Sequence, residues 1–366
     1  MATTELSFAP MLEKLEDICK NYDAQWIKRK RKIDTFGVVN NMLSTVIGSF
    51  GGMRSSVSIG KEAFSAQALC QAKERMPISV LHGIYRDFSN VLLKANDGPQ
   101  ILAVDGSKVI LGETMATKPE PFPKHGNSIV RPHALISCIY NCNNGVPEHA
   151  DVFNHHDERK AVMHQLATGI AAKKGDILVF DRGYYSLELA QYLHSLDLNY
   201  VFRVRRNANK EIKTCITEDV ELHRKFGAAV WKGIEGLPKT RLLRFRKNDS
   251  TYVLLTNLDG NVYNDDSIKA IYRRRWDVEE YFRVLKDPKY LNGKRFLAHS
   301  LKEMRKELVF RMLSGLCIQA TLLQQGVSSK GSNTMIKTRT KKNGEIVREK
   351  SLLLLNIAYK PFSCKY

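Results

Sequence analysis

Ile101-Leu-Ala-Val-Asp-Gly-Ser107 and its echo Ile177-Leu-Val-Phe-Asp-Arg-Gly183 decide how this chain folds. Each is a short, wholly apolar run of the kind buried on both faces of a sheet, and each ends on an acid, Asp105 or Asp181. Between them, Ala134-Leu-Ile-Ser-Cys-Ile-Tyr140 predicts a strand, Asn143-Asn-Gly145 a turn, and Val146 to Phe153 the returning partner. Asp157 predicts the cap of a helix running to Ile170, with Val162, Met163, Leu166 and Ile170 inward and Lys173-Lys-Gly175 as its stop. Past Asp181, a helix from Ser186 to about Leu196 leads into Tyr200-Val-Phe-Arg-Val-Arg205, where apolar and basic residues alternate as in a strand.

The closing element is Ser267 to Lys286. With Asp266 or Ser267 as cap and about 100° per residue, Ile271, Val278, Phe282 and Leu285 share one stripe, which predicts a helix packed on a core. Tyr272, Arg275, Glu279 and Lys286 fall beside it, on an arc of roughly 60°. A carboxylate is thus held between two cations and a phenol, whereas Glu280 points toward Arg273, Arg274, Asp277 and water. Three strands, helix, strand, helix, strand and a last helix is the element order of the ribonuclease-H-like α/β fold. Its first and fourth strands lie side by side, so Asp105 and Asp181 are expected together where α/β sheets carry chemistry.

The 366 residues suffice for a sizeable core, and 43% hydrophobic content excludes a disordered chain. Lys and Arg number 57 against 38 Asp and Glu, a net charge of +19 that points to a polyanionic partner, nucleic acid before an anionic membrane surface. No apolar run is long enough for a bilayer, and Met1-Ala-Thr-Thr-Glu5 has neither the basic start nor the apolar core of a signal peptide, so a cytoplasmic protein with no membrane partner is expected. The 7 cysteines are odd in number and scattered, as reduced thiols are. Cys138 and Cys142 with His133 and His149 do not read as a zinc site, because the segment is two strands without a second close ligand pair. His155 and His156 read as solvated loop residues rather than an acid/base pair.

Residues 1–95 read as helical. A basic cluster spans Trp26 to Ile33, helical spacing recurs from Phe36 to Ile47, and a second helix is expected from near Lys61. Two helices around a Gly/Ser turn suit a helix-turn-helix DNA reader, and equally a helical cap on the domain that follows. Asn96-Asp-Gly-Pro99 marks the boundary. The first part of the core then spans 96–206 and a β-rich insertion 207–257, with strands expected at Lys213 to Ile216, Ala228 to Lys232, Thr240 to Arg246 and Tyr252 to Thr256. The last part of the core spans 258–326, ending in a long helix from Leu301 to Leu323, and a basic tail occupies 327–366.

Three carboxylates from two strand ends and a helix face suit divalent metal. Two Mg²⁺ ions about 4 Å apart serve both the attacking and the departing oxygen of a displacement at phosphorus. Val104-Asp105-Gly106-Ser107, Phe180-Asp181-Arg182-Gly183-Tyr184 and Tyr272-x2-Arg275-x3-Glu279-x6-Lys286 resemble the three acidic blocks of the DDE transposases of bacterial insertion sequences. The likeness is to the subgroup named for its Tyr-Arg-Glu-Lys (YREK) signature. That resemblance covers roughly residues 100 to 320. It implies Asp105, Asp181 and Glu279 as catalytic, metal-binding acids, with two Mg²⁺ ions or Mn²⁺ as a substitute, and nicking of an element's end followed by strand transfer into target DNA. It also implies double-stranded DNA as partner, a homodimer pairing two element ends, and a place on the bacterial nucleoid. Tyr272, Arg275, Lys286 and Arg182 are then expected to meet phosphates, with Arg203 and Arg205 on the strand bordering the site. Trp231, the insertion's only Trp, is a candidate to stack on a flipped base. A ribonuclease-H-like endonuclease without strand transfer, and a non-catalytic DNA-binding protein derived from a transposase, stay open as alternatives.

Overall fold

The computed structural model describes residues 9–29, 33–47, 64–93, 98–125, 130–205, 219–222, 240–247, 250–287, 291 and 295–324. Helices come first: α1 (Ala9–Lys20), α2 (Asp23–Trp26), α3 (Thr35–Ile47), α4 (Ala66–Arg75) and α5 (Ile78–Leu92). The strands β1 (Ile101–Ile110), β2 (Lys124–His125), β3 (Arg131–Asn141) and β4 (Val146–Phe153) lead to α6 (Glu158–Ala167), β5 (Ile177–Phe180), α7 (Leu187–Ser195) and β6 (Asn199–Arg203). Then come β7 (Asp219–Leu222), β8 (Thr240–Lys247), β9 (Ser250–Thr256), α8 (Asp265–Arg273), α9 (Trp276–Lys286) and α10 (Leu301–Gln324).

The fold is mixed α/β, and its mostly antiparallel sheet has nine strands among the described residues. From β4 the order is β4, β3, β1, β5, β6, β9, β8, β7, with the short β2 pairing the first two residues of β3. The two apolar runs lie where the sequence asks for them. β5 is buried throughout and pairs parallel with β1 from Ile101↔Ile177 to Val104↔Phe180, and with β6 from Ile177↔Asn199 to Phe180↔Phe202. β3 is antiparallel to both β1 and β4.

Four expectations need correction. β1 does not stop at Asp105. It continues to Ile110, because β3 is long enough to carry it, pairing Asp105 with Cys138 and Ile110 with His133. α6 has the expected Asp157 cap, whose carboxylate accepts from the amides of Arg159 and Lys160, but it ends at Ala167. Gly169 adopts φ 71° there, a left-handed stop that leaves Ile170 39% exposed rather than inward. α4 starts at Ala66, with Ser65 accepting from Ala68, rather than near Lys61. The closing helix, finally, is two helices. Asn264 rather than Asp266 or Ser267 caps α8, and Arg274, Arg275 and Asp277 donate to the carbonyls three residues back, a tightened turn that ends α8 and begins α9.

That break has a packing cause. Ile268, Ile271 and Tyr272 of α8 pack with Ile177, Val179 and Val201 on the β5–β6 side, whereas Val278, Phe282 and Leu285 of α9 join Ala103, Ile136 and Tyr140 on the β1–β3 side. One straight helix has a single apolar stripe; the turn at Arg274–Arg275 lets two stripes follow a twisted sheet. The opposite face is covered by α6 and α7 through Val162, Leu166, Leu189 and Leu193 over Val104, Phe180 and Phe202. Leu15, Val38, Leu69 and Phe88 of the N-terminal helices belong to the same core as α9, α10 and the β1–β3 face. Sharing one core is how a helical cap packs.

β9 pairs antiparallel with β6, so the inserted strands extend the main sheet. β8 and β9 fall where two of the four inserted strands were expected, and β7 was not foreseen. The other two expected strands, Trp231 and the basic tail lie outside the described residues. Among the described residues no helix is long and apolar enough to cross a membrane.

Candidate active site

Register builds the site. Parallel pairing of β1 and β5 ends at Val104↔Phe180, and the next residue on each strand is an acid, Asp105 and Asp181. Neighbouring strands are about 4.8 Å apart, so these carboxyl groups arrive side by side on one face. Asp105 shares that face with Ala103, the side on which α8 and α9 lie.

The two helices complete the group. The Tyr272 hydroxyl on α8 donates a long hydrogen bond of 3.4 Å to Asp181, whose Oδ1 also stands 3.6 Å from an Arg203 amino group on β6. Arg203 in turn lies over the Tyr252 ring, 4.5 Å from its centroid. At the start of α9, Arg275 is buried, and its Nη2 meets Glu279 Oε1 at 2.6 Å across one helical turn. Lys286, two turns on, donates to the Ser107 hydroxyl, two residues along β1 from Asp105 and on the same face. All four residues of the Tyr272-to-Lys286 pattern therefore face the strand-end acids, although the helix expected to carry them is broken. Glu280 turns away into a two-pronged pair with Arg283 at 2.6 Å.

Electrostatics mark these acids as crowded. Burial pushes the Asp105 carboxyl up to about 7; its own Gly106 amide and Arg275 pull it down, and Glu158 and Glu279 push it further up. Burial lowers the affinity of Arg275 for its proton, but Tyr272, Glu279 and Asp181 outweigh it and the net shift is upward. The Tyr272 phenol is raised, first by burial. Its neighbour's Nε closes no hydrogen bond, so Arg275 keeps a buried donor in hand.

One acid escaped the sequence reading. Glu158 opens α6, and its side chain lies against Gly106: a Cβ placed on that glycine would stand 2.9 Å from Glu158 Oε1. Burial raises its carboxyl, with Asp181 adding to the effect and Tyr184 and Lys108 opposing it. In sequence it is an ordinary first-turn acid favoured by the helix dipole, and only its place after the sheet-edge strand β4 hinted at more.

Other expected residues stand apart from this geometry. Arg182 and Arg205 are exposed next to Asp181 and beyond β6. Cys138 is buried in β3, and Cys142 directs its thiol to the Arg274 carbonyl at 3.4 Å. His149 stacks on His82, with ring centroids 4.7 Å apart, and His155 leans on Phe153. Asp105, Asp181 and Glu279 offer carboxylate oxygens, the ligands a hard divalent cation takes, although the buried Cys138 stands opposite Asp105 on β3. Among the described residues no three potential ligands already form a closed cation cage, since Glu279 is turned onto Arg275 and Asp181 onto Arg203 and Tyr272.

Known proteins can now be set beside this geometry. No curated protein matches the sequence. Among solved structures, the chain is similar to one described as a cryo-EM structure of piggyBac transposase synaptic complex with hairpin DNA. The two share 12% identity over 93% of this chain and 82% of that one, at a TM-score of 0.44, a likeness too distant to bear on function. Residues 96–316 match the family model described as Transposase DDE domain. That span is more than half of the chain and holds Asp105, Asp181, Glu279 and every strand from β1 to β9, and the protein belongs to the DDE-domain transposases.

Proposed function

We propose that this DDE transposase cuts DNA at the ends of a mobile element and joins the freed 3′ ends to target DNA, using divalent metal held by Asp105, Asp181 and Glu279. The observation that carries the reading is the register Val104↔Phe180, which makes Asp105 and Asp181 neighbours, with Glu279 arriving on α9 through Arg275. The order of β4, β3, β1, β5 and β6, with β3 alone reversed, supports a ribonuclease-H-like core, and the Tyr272-to-Lys286 spacing supports the subgroup of bacterial insertion sequences that carries it.

Two Mg²⁺ ions, or Mn²⁺, would supply an activated water or 3′-hydroxyl and a counter-charge for the departing oxygen. The chain's own residues do the rest. Asp105, Asp181 and Glu279 would be the residues that hold the metal. Arg275, paired with Glu279, keeps a buried guanidinium that would meet a phosphate oxygen, and its spare Nε adds a donor. Tyr272 orients Asp181, and Lys286, anchored at Ser107, places a second positive charge along β1. Arg203, Arg182 and Arg205 extend the cationic border on which a sugar-phosphate strand lies. A net charge of +19 fits a double-stranded DNA partner, a dimer pairing two element ends, and residence on nucleoid DNA in the cytoplasm.

The test uses DNA flanking the gene, as intact ends and as pre-nicked ends with a free 3′-hydroxyl, incubated with the full chain and Mg²⁺ or Mn²⁺. Joined products that vanish with EDTA support the reading. Cleavage without joining on pre-nicked ends selects the endonuclease alternative, and binding without either selects the non-catalytic one.

A further inference from the structure

Resting on the reading of Asp105 and Asp181 as a cation centre, we infer that Glu158 is a fourth carboxylate of that centre, reaching the cation across the gap left by Gly106. Three observations lead there. Gly106 follows Asp105 on β1 and carries no side chain of its own. Glu158 fills that space with its Oε1, Cδ and Cγ at 2.9, 3.0 and 3.0 Å from the missing Cβ. Those distances admit no other residue at 106 without displacing the carboxylate, so the glycine is what lets an acid from α6 approach an acid on β1. Glu158 is among the charges that raise Asp105, and Asp181 is among those that raise Glu158.

The third observation is Tyr184. It is 1% exposed, and its hydroxyl turns to Glu158, the charge that bears on it most, without closing a well-formed hydrogen bond. Its position beside a buried, incompletely neutralised carboxylate leaves polar space for a further occupant. A divalent cation fits that space. It neutralises Glu158 and Asp105 together, and Tyr184 is then the positioning residue that steadies the free oxygen of Glu158. The centre thus draws acids from both faces of the sheet, Glu279 from the α9 side and Glu158 from the α6 side.

The probe is Mn²⁺, titrated calorimetrically into the full chain without DNA. Glu158→Gln is expected to weaken its binding at least about 10-fold, with thermal unfolding of the metal-free protein kept. Glu158→Asp is expected to fall between the two. Gly106→Ala is expected to reproduce Glu158→Gln, because the atom it strikes is the end of a flexible side chain and moves away without unfolding the strand. It keeps the test alive should Glu158→Gln misfold. Glu280→Gln, which removes an acid paired to Arg283, should change nothing. If Asp105→Asn abolishes Mn²⁺ binding while Glu158→Gln and Gly106→Ala bind as the parent does, the inference is overturned and the proposed function stands. If Asp105→Asn also binds as the parent does, or the parent binds no Mn²⁺, both fall.

Discussion

Two clusters of buried charge sit in this molecule, and they are built on opposite rules. Along α10, Lys306 is 1% exposed and donates to the carbonyls of Lys73 and Glu74 and to Glu303, which also pairs with Lys73 at 3.0 Å. One turn on, Glu307 pairs with Arg311 and accepts from the amides of Leu297 and Ala298. Each acid there meets a base, and the Glu303 carboxyl is held below its usual range, because Lys73 and Lys306 outweigh burial. At the strand ends the balance fails. Burial pushes Asp105 up to about 7 and Glu158 upward too, and the Gly106 amide and Arg275 on the one, Tyr184 and Lys108 on the other, do not offset it. A cluster that only has to hold a fold closes its own books; one left short of positive charge is waiting for something from outside.

The largest effect should come from the unbalanced cluster. Asp105→Asn, Asp181→Asn or Glu279→Gln should each lower DNA cleavage by at least about 10²–10³-fold, the scale seen on removing one electrostatic partner of a transition state. Circular dichroism and the melting temperature without metal should be unchanged or improved, and stabilisation by Mg²⁺ should disappear. A variant that unfolded instead would erase the contrast with α10.

The balanced cluster should answer in stability alone. Arg311→Ala strands Glu307, whose side chain is 4% exposed, and should cost about 3–5 kcal/mol in urea denaturation. The pair Glu307→Leu and Arg311→Met should recover much of that loss. Failure of the double variant to recover would mean the pair does more than fill the core.

A third buried polar group, His82 stacked on His149, sharpens the comparison because it is built to stay neutral. Burial pushes His82 down to about 4 and His149 to about 3, and the Gln165 amide donates to His149 Nδ1 at 3.0 Å, which needs an unprotonated nitrogen. The sign follows from linkage. Unfolded histidine takes its proton near 6.5 and the folded pair does not, so the stabilisation is present above about 6.5 and is lost as pH falls toward about 4. Urea unfolding at pH 7.5 and 4.5 should show the drop, and His82→Phe should shrink it.

The smallest effect belongs to the exposed rim. Arg182→Ala and Arg205→Ala should weaken DNA binding modestly and lower the salt slope by about 0.9 for each phosphate that the variant no longer neutralises, without sequence preference. A change in which DNA sequence is bound would place them at base edges instead.

The parts of this site that lie on strands were legible because a strand has only two faces. Two apolar runs, each ending on an acid, fix parallel neighbours, and parallel pairing in register leaves little room for Asp105 and Asp181 to be anywhere but together. Tyr272, Arg275, Glu279 and Lys286 were readable as one face, though the turn at Arg274–Arg275 was not, since it answers to the twist of a sheet far away in sequence. Glu158 was invisible for a related reason. Its meaning lies in contact with a glycine on another strand, while its local signal, an acid in the first turn after the Asp157 cap, is what any stable helix shows. The α10 cluster was hidden likewise, for Lys306 meets the carbonyls of Lys73 and Glu74 and Arg311 those of Leu291 and Arg295, contacts that the pattern of the helix itself does not show.

The account stands or falls on whether the acids at the strand ends share a cation. The direct measurement is anomalous scattering from crystals of the full chain grown with Mn²⁺. The account predicts one or two peaks within about 2.0–2.6 Å of carboxylate oxygens of Asp105 and Asp181, with Glu279 swung away from Arg275. Peaks only elsewhere, with Asp105 and Asp181 bound solely to Gly106, Tyr272 and Arg203, would contradict it.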